Sequence, residues 1–210
     1  MRYKSIAFDV DGTLIDTQDT FTYSFARTIK ELKGQDVSPE SLLQYFGLPS
    51  MEGVRRVGFD DCEAALQLWE KNYRRMAATL SRPFPGVGEA LEHFAATGVT
   101  LGVVTSRSRE EFDADRNLDP WRPLFKVVVC ADDTALHKPD PAPALAFAAA
   151  AGVPAAECLY VGDTIMDSLC ASGAGMDFAL ADWRDLQPAD IPFQFRFTTA
   201  PELESVEFRV

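Results

Sequence analysis

The sequence is short of basic charge: 20 lysines and arginines face 32 aspartates and glutamates, for a formal net charge of −12. No broad positive surface can be assembled from that balance, which argues against a protein that tracks a nucleic-acid backbone. An anionic substrate must instead be met by positive charge concentrated at one point, as a metal ion or a single lysine. Long apolar runs are missing too. None approaches the ~20 residues of a membrane helix, and the least polar stretch, Ala142 to Val153, is alanine-rich and closed by Gly152 and Pro154. At the N-terminus, MRYKSIAFDVDG carries two aspartates into the apolar run before a signal-peptide core is complete. The two histidines, His93 and His137, read as surface residues, one in a helical stretch and one beside a lysine. The four cysteines, Cys62, Cys130, Cys158 and Cys170, show no CxxC spacing and read as reduced core thiols. No repeat or low-complexity tract occurs. The expectation is a soluble, cytoplasmic globular protein with no nucleic-acid or membrane partner and an oligomeric state the sequence does not specify.

What is present is alternation. Ser5 to Val10, Val99 to Thr105, Lys126 to Ala131 and Cys158 to Gly162 are short β-rich runs of nearly continuous apolar character. That pattern suits strands covered on both faces of a parallel sheet. Val87 to Ala96, Arg109 to Asn117, Pro141 to Ala151 and Ile165 to Ser172 read as helices, with Gly98, Gly152 and Gly173 as their caps. The prediction is a doubly wound, Rossmann-like α/β fold. About 70 residues interrupt it after the first strand. In that block Thr20 to Lys33, Ser38 to Phe46 and Asp60 to Leu80 look helical. Ala65, Leu68, Trp69, Asn72, Tyr73 and Met76 recur at the spacing of one buried helix face. Residues 16–83 are therefore expected to form an inserted all-helical cap domain, and residues 1–15 and 84–210 the α/β core. Beyond Asp182 the chain turns irregular, except that Phe193 to Phe197 alternates like an edge strand.

Polar clusters follow the predicted strands, at the end of an open α/β sheet where ligands bind. They are Asp9-Val-Asp11-Gly12-Thr13, Thr105-Ser106, Lys138-Pro139-Asp140-Pro141, and Gly162-Asp163-Thr164 with Asp167. Taken in this order, the set resembles the haloacid dehalogenase-like hydrolase superfamily over about residues 4 to 180, and the helical block resembles that family's C1 cap. The closest likeness is to phosphoglycolate phosphatase-like and β-phosphoglucomutase-like members. Crowded carboxylates with oxygen-only donors call for a hard cation, and Mg²⁺ is the one expected.

The resemblance implies that Asp9 is the nucleophile, forming an aspartyl-phosphate, and that Asp11 is the acid and base. It also implies Mg²⁺ held by the Asp9 carboxylate, the Asp11 backbone carbonyl and the Asp163 carboxylate, with Asp167 in support. Thr105, Ser106 and Lys138 would hold the phosphoryl oxygens. Thr164-x-x-Asp167 also fits a helix capping box. Relatives often carry Asn-Lys where Ser106-Arg107 stands here. Because Asp11 is present, phosphoryl transfer is favoured over dehalogenation, whose halide leaving group needs no proton. Arg55 and Arg56 are the cap residues assigned to substrate choice, with solvated surface arginines as the alternative. The expected activity is Mg²⁺-dependent hydrolysis of a small phosphorylated metabolite. The alternatives are a sugar-phosphate mutase and a catalytically silent binding protein of the same fold.

Overall fold

Every residue of Ser5–Phe8 is buried, as a central strand of a parallel sheet must be. The computed structural model describes residues 3–185 and 190–206. Its strands are β1 (Ser5–Phe8), β2 (Ile15–Asp16), β3 (Arg82–Pro83), β4 (Thr100–Val104), β5 (Phe125–Val129), β6 (Cys158–Gly162), β7 (Asp177–Ala181) and β8 (Phe195–Phe197). Six of them form a sheet in the order β5-β4-β1-β6-β7-β8, each neighbouring pair parallel, while β2 and β3 pair as a separate ribbon. The helices are α1 (Gln18–Lys33), α2 (Ser50–Val57), α3 (Cys62–Leu80), α4 (Val87–Ala96), α5 (Arg109–Ala114), α6 (Ala142–Ala151) and α7 (Ile165–Ala174). The chain divides into two compact units, Met1–Ile15 with Pro83–Val210, and Asp16–Arg82.

In the α/β unit, side chains alternate between two cores. Ile6, Phe8, Leu101, Val103, Leu159 and Val161 pack with α4 through Leu91 and Phe94. On the other face, Ala7, Val104, Cys158 and Tyr160 pack with Phe147 of α6 and Cys170 of α7. Helices on both faces of a parallel sheet are the α/β arrangement read from the sequence. Each fully buried large apolar side chain contributes on the order of 1.5–3 kcal/mol relative to leaving it exposed. Strand order reverses at β1, whose neighbours β4 and β6 lead to opposite edges, so the C-terminal end of β1 borders the crevice where ligands bind.

In the helical unit, Phe21, Phe25 and Ile29 of α1 pack with Trp69 of α3, Leu42, Val54 and Phe59. Ala65, Trp69 and Asn72 are buried, and Leu68, Tyr73 and Met76 partly so, which is the face the spacing marked. Asn72 donates to Thr28 Oγ1 at 3.1 Å, so the polar member of that face is paired.

Several local expectations are corrected. Ser38 to Phe46 holds a 3₁₀ helix over Pro39–Tyr45, and Ser50–Val57 adds a helix, α2, to those expected of this block. The helix expected from Arg109 to Asn117 ends at Ala114, where Asp115 takes an extended conformation and caps a 3₁₀ turn at Arg116–Leu118. Gly173 lies inside α7, and the left-handed cap is Gly175 at φ 76°. A Cβ on Gly173 would approach Pro141 to 3.2 Å, so the glycine serves a helix contact instead. Strand β7 is additional to the runs that the sequence marks as strands. The Phe193–Phe197 alternation becomes β8, a three-residue edge strand paired with β7. All four cysteines are free thiols, three of them buried, and both histidines are exposed. No helix among the described residues is long and apolar enough to cross a membrane.

Candidate active site

The site begins where β1 runs out. Asp9 continues the ladder through its N–H, which donates to Val161 O at 2.9 Å, and the chain then turns at Gly12 with φ +84°. A Cβ at Gly12 would lie 2.0 Å from Asp163 Oδ2, so only glycine lets the loop after β1 meet the loop after β6. Thr13 Oγ1 crosses the same gap and donates to Asp163 Oδ1 at 3.2 Å.

Lys138 enters between β5 and α6, and its Nζ donates to Asp9 Oδ1 at 2.8 Å and to Asp167 Oδ1 at 2.6 Å. All three side chains are buried. Asp167 is the most engaged of the carboxylates. Its Oδ2 accepts from Thr164 N at 3.1 Å and Thr164 Oγ1 at 2.5 Å, and the Tyr160 hydroxyl lies 3.1 Å from its Oδ1. The capping box at the start of α7 is therefore real, and the same carboxylate also anchors the lysine. Tyr160 is the only polar side chain of β6 besides Cys158, and its hydroxyl also lies 3.1 Å from Val104 O. In the sequence it was hidden inside an apolar run.

Burial sets the electrostatics. It pushes the Asp9 carboxyl up from 3.8 to about 7, with Lys138 opposing and Asp167 and Asp11 adding to the rise. Asp163 is also raised well above the ordinary carboxylate range, by burial first and then by Asp167 and Asp9. Burial would lower Lys138, but Asp167 and Asp9 outweigh it and hold the ammonium well above its ordinary value. Carboxylate oxygens of Asp9, Asp163 and Asp167 all lie within 4.8 Å of one another. With all three ionised, three carboxylates against one ammonium leave a net charge of −2, which a divalent cation would balance. With only oxygen donors, the residues fit a hard cation.

Thr105 follows β4 directly, is buried, and donates through N–H to Val129 O at 2.9 Å. Ser106 follows it, partly exposed. The structure places an unexpected group next: Arg107 Nε and Nη2 donate to the two Asp11 oxygens, each at 2.8 Å, and Nη1 donates to Asp115 Oδ2 at 2.8 Å. A basic residue two positions after Thr105 was the available signal, and its acidic partners could not be read from spacing. Arg55 and Arg56 belong to the helical unit, exposed on the last turn of α2, and Arg56 Nε pairs with Glu52 Oε1 at 2.9 Å.

The chain is 28% identical over 182 residues to the pyrophosphatase PpaX of Bacillus velezensis, covering 87% of this chain and 84% of that one. It is 28% identical over 181 residues to the phosphoglycolate phosphatase of Thiobacillus denitrificans, covering 82% and 80%. A solved hydrolase of the haloacid dehalogenase superfamily, subfamily IA variant 1, from Geobacter sulfurreducens superposes with a TM-score of 0.73 at 25% identity, covering 97% of this chain and 96% of that one. The family model described as haloacid dehalogenase-like hydrolase matches residues 6–181, which takes in both polar ends of the site from Asp9 to Asp167, and the chain belongs to that family.

Proposed function

We propose that the protein is a Mg²⁺-dependent phosphatase of small phosphate monoesters that works through an aspartyl-phosphate on Asp9. One observation carries the reading: a buried carboxylate at the C-terminal end of the central strand, 2.8 Å from a buried lysine and close to two further carboxylates. Asp9 attacks phosphorus, and the ester bond breaks with its electron pair passing to the leaving oxygen, which takes a proton from Asp11. Water then attacks the aspartyl-phosphate and gives its proton to Asp11, releasing phosphate and restoring Asp9. Lys138, with Thr105 and Ser106, neutralises and orients the phosphoryl oxygens. Asp9, the Asp11 carbonyl and Asp163 would hold Mg²⁺, which would supply neutralisation of the charge on the phosphoryl group. Asp167 acts mainly by fixing Lys138.

Relatives named for phosphoglycolate and pyrophosphate support a small anionic substrate. The helical unit, residues 16–82, is assigned the role of cap, and Arg55 and Arg56 are its substrate-facing basic residues. Four free thiols support a cytoplasmic setting. The deciding experiment follows glucose 6-phosphate and free phosphate separately, from β-glucose 1-phosphate with catalytic 1,6-bisphosphate, beside a panel of phosphorylated small acids. Phosphate release from the panel is expected. Rapid isomerisation with little phosphate release would overturn hydrolysis in favour of a mutase.

Metal binding is expected to appear in stability before any turnover is measured. With Asp9 near 7 when folded and 3.8 ordinarily, the folded chain keeps a proton that the unfolded chain has lost between those values. Folding takes up a proton there, so this contribution is complete below about pH 4, declines as pH rises and is gone above about pH 7. Mg²⁺ competes with that proton. Saturating Mg²⁺ is expected to raise Tm by about 5–10 °C at pH 8 and far less at pH 5. Equal shifts at the two pH values in thermal melts with Mg²⁺ or chelator would contradict a metal seated on these carboxylates.

A further inference from the structure

We propose that Arg107 is a positioning residue for Asp11, anchored in turn by Asp115. The inference rests on the hydrolytic reading, in which Asp11 exchanges both protons. Asp11 follows β1 on a turn whose backbone is set by Gly12, but a turn does not set the plane of a carboxylate. Arg107 does. Its two bonds to Asp11 are of equal length, one to each oxygen, and a planar guanidinium in that arrangement fixes both the distance and the orientation of the carboxylate.

The arginine is itself held on every side. Its N–H donates to Thr105 Oγ1 at 3.2 Å, and its carbonyl accepts from Ala131 N at 2.8 Å. Its third arm ends on Asp115 Oδ2, while Asp115 Oδ1 accepts from Asn117 N at 2.9 Å and Asn117 Nδ2 at 3.0 Å. The break in helix after Ala114 thus has a consequence: an extended Asp115 turns its carboxylate to the arginine. Exposed ion pairs contribute little, but these side chains are only 9%, 22% and 13% exposed for Arg107, Asp11 and Asp115. A lysine, with one ammonium, could not engage both Asp11 oxygens and Asp115 from one plane.

The chemistry makes this placement matter unequally for different esters. When an alkyl ester bond breaks, the electron pair left on oxygen needs the Asp11 proton, which one carboxyl oxygen delivers while the other keeps its bond from Arg107. A p-nitrophenolate leaves without it. Misplacing a reacting group by about 1 Å can cost about 10²-fold, a loss that should follow the leaving group.

The test measures kcat/KM, which covers steps only through ester cleavage, for wild type and Arg107→Ala. The substrates are p-nitrophenyl phosphate, glycerol 2-phosphate and phosphoglycolate. For glycerol 2-phosphate, a fall of about 30–100-fold carried by kcat rather than KM is expected, against a change of less than about threefold for p-nitrophenyl phosphate. Arg107→Lys should fall between. Equal losses on both esters, as a merely structural role would give, overturn the proposal. So does a loss confined to phosphoglycolate, which would make Arg107 a contact to the substrate's second anion. If Arg107→Ala does not fold, Asp115→Ala carries the test, since it keeps the arginine and removes the carboxylate that anchors it. An unmoved ratio of the two esters in that variant refutes the inference. Wild-type protein that hydrolyses none of the three esters would instead overturn the hydrolytic reading, and the inference with it.

Discussion

Asp9→Asn is expected to lower kcat by about 10⁴-fold or more while leaving the fold intact. The amide keeps the side chain's size and can still accept from Lys138, which retains its 2.6 Å contact to Asp167. What disappears is the anionic oxygen that attacks phosphorus. Stability should move the other way. A carboxyl pushed up to about 7 by burial is one whose charge the folded state resists. Metal-free Asp9→Asn at pH 8 is therefore expected to melt no lower than wild type, and Mg²⁺ should raise its Tm less. Activity within tenfold of wild type, measured as phosphate release under saturating Mg²⁺, would remove Asp9 from the role of nucleophile.

Lys138→Met is expected to damage both stability and rate. Methionine fills a similar volume, but Asp9 and Asp167 then lose the buried cation lying 2.8 Å and 2.6 Å from them. Breaking a buried pair by removing one partner costs about 3–5 kcal/mol, because the remaining charge is uncompensated. Urea denaturation without metal at pH 8 should show that loss. At pH 5 it should be smaller, because the carboxyls above the ordinary range, Asp9 and Asp163, take up protons and relieve the repulsion. Turnover should fall about 10²–10³-fold through loss of one electrostatic contact to the transferring group. A variant as stable as wild type at pH 8 would mean that the lysine does not compensate these charges.

Much of the framework was legible because its causes are local. The apolar runs of β1, β4, β5 and β6 are near-continuous, and α4 and α6 end close to their expected limits. What was missed had no local signature. Asp177–Ala181 is a five-residue run that begins with an acid and contains two alanines, and it is a strand because β6 offers it a parallel partner. At the end of α7, two glycines stand two residues apart, and only packing against Pro141 decides that Gly173 continues the helix while Gly175 ends it.

The same division runs through the site. By itself the sequence determined that two carboxylates terminate the first strand, that a glycine follows them, and that further acids, a threonine and a lysine stand after later strands. Alternation and strand ends depend on neighbours in the chain. Tertiary structure alone decided which charge meets which. Lys138 and Asp9 are 129 residues apart in the chain and 2.8 Å apart in space, and Arg107 and Asp11 are 96 apart and equally close. Coulomb forces and hydrogen bonds act through distance in space and are strengthened by burial, and neither quantity is written in the order of residues. That is why Asp9 and Asp11 could be singled out from sequence, while the groups that hold them, Lys138 with Asp167 and Arg107 with Asp115, became partners only when the sheet brought its strand ends together.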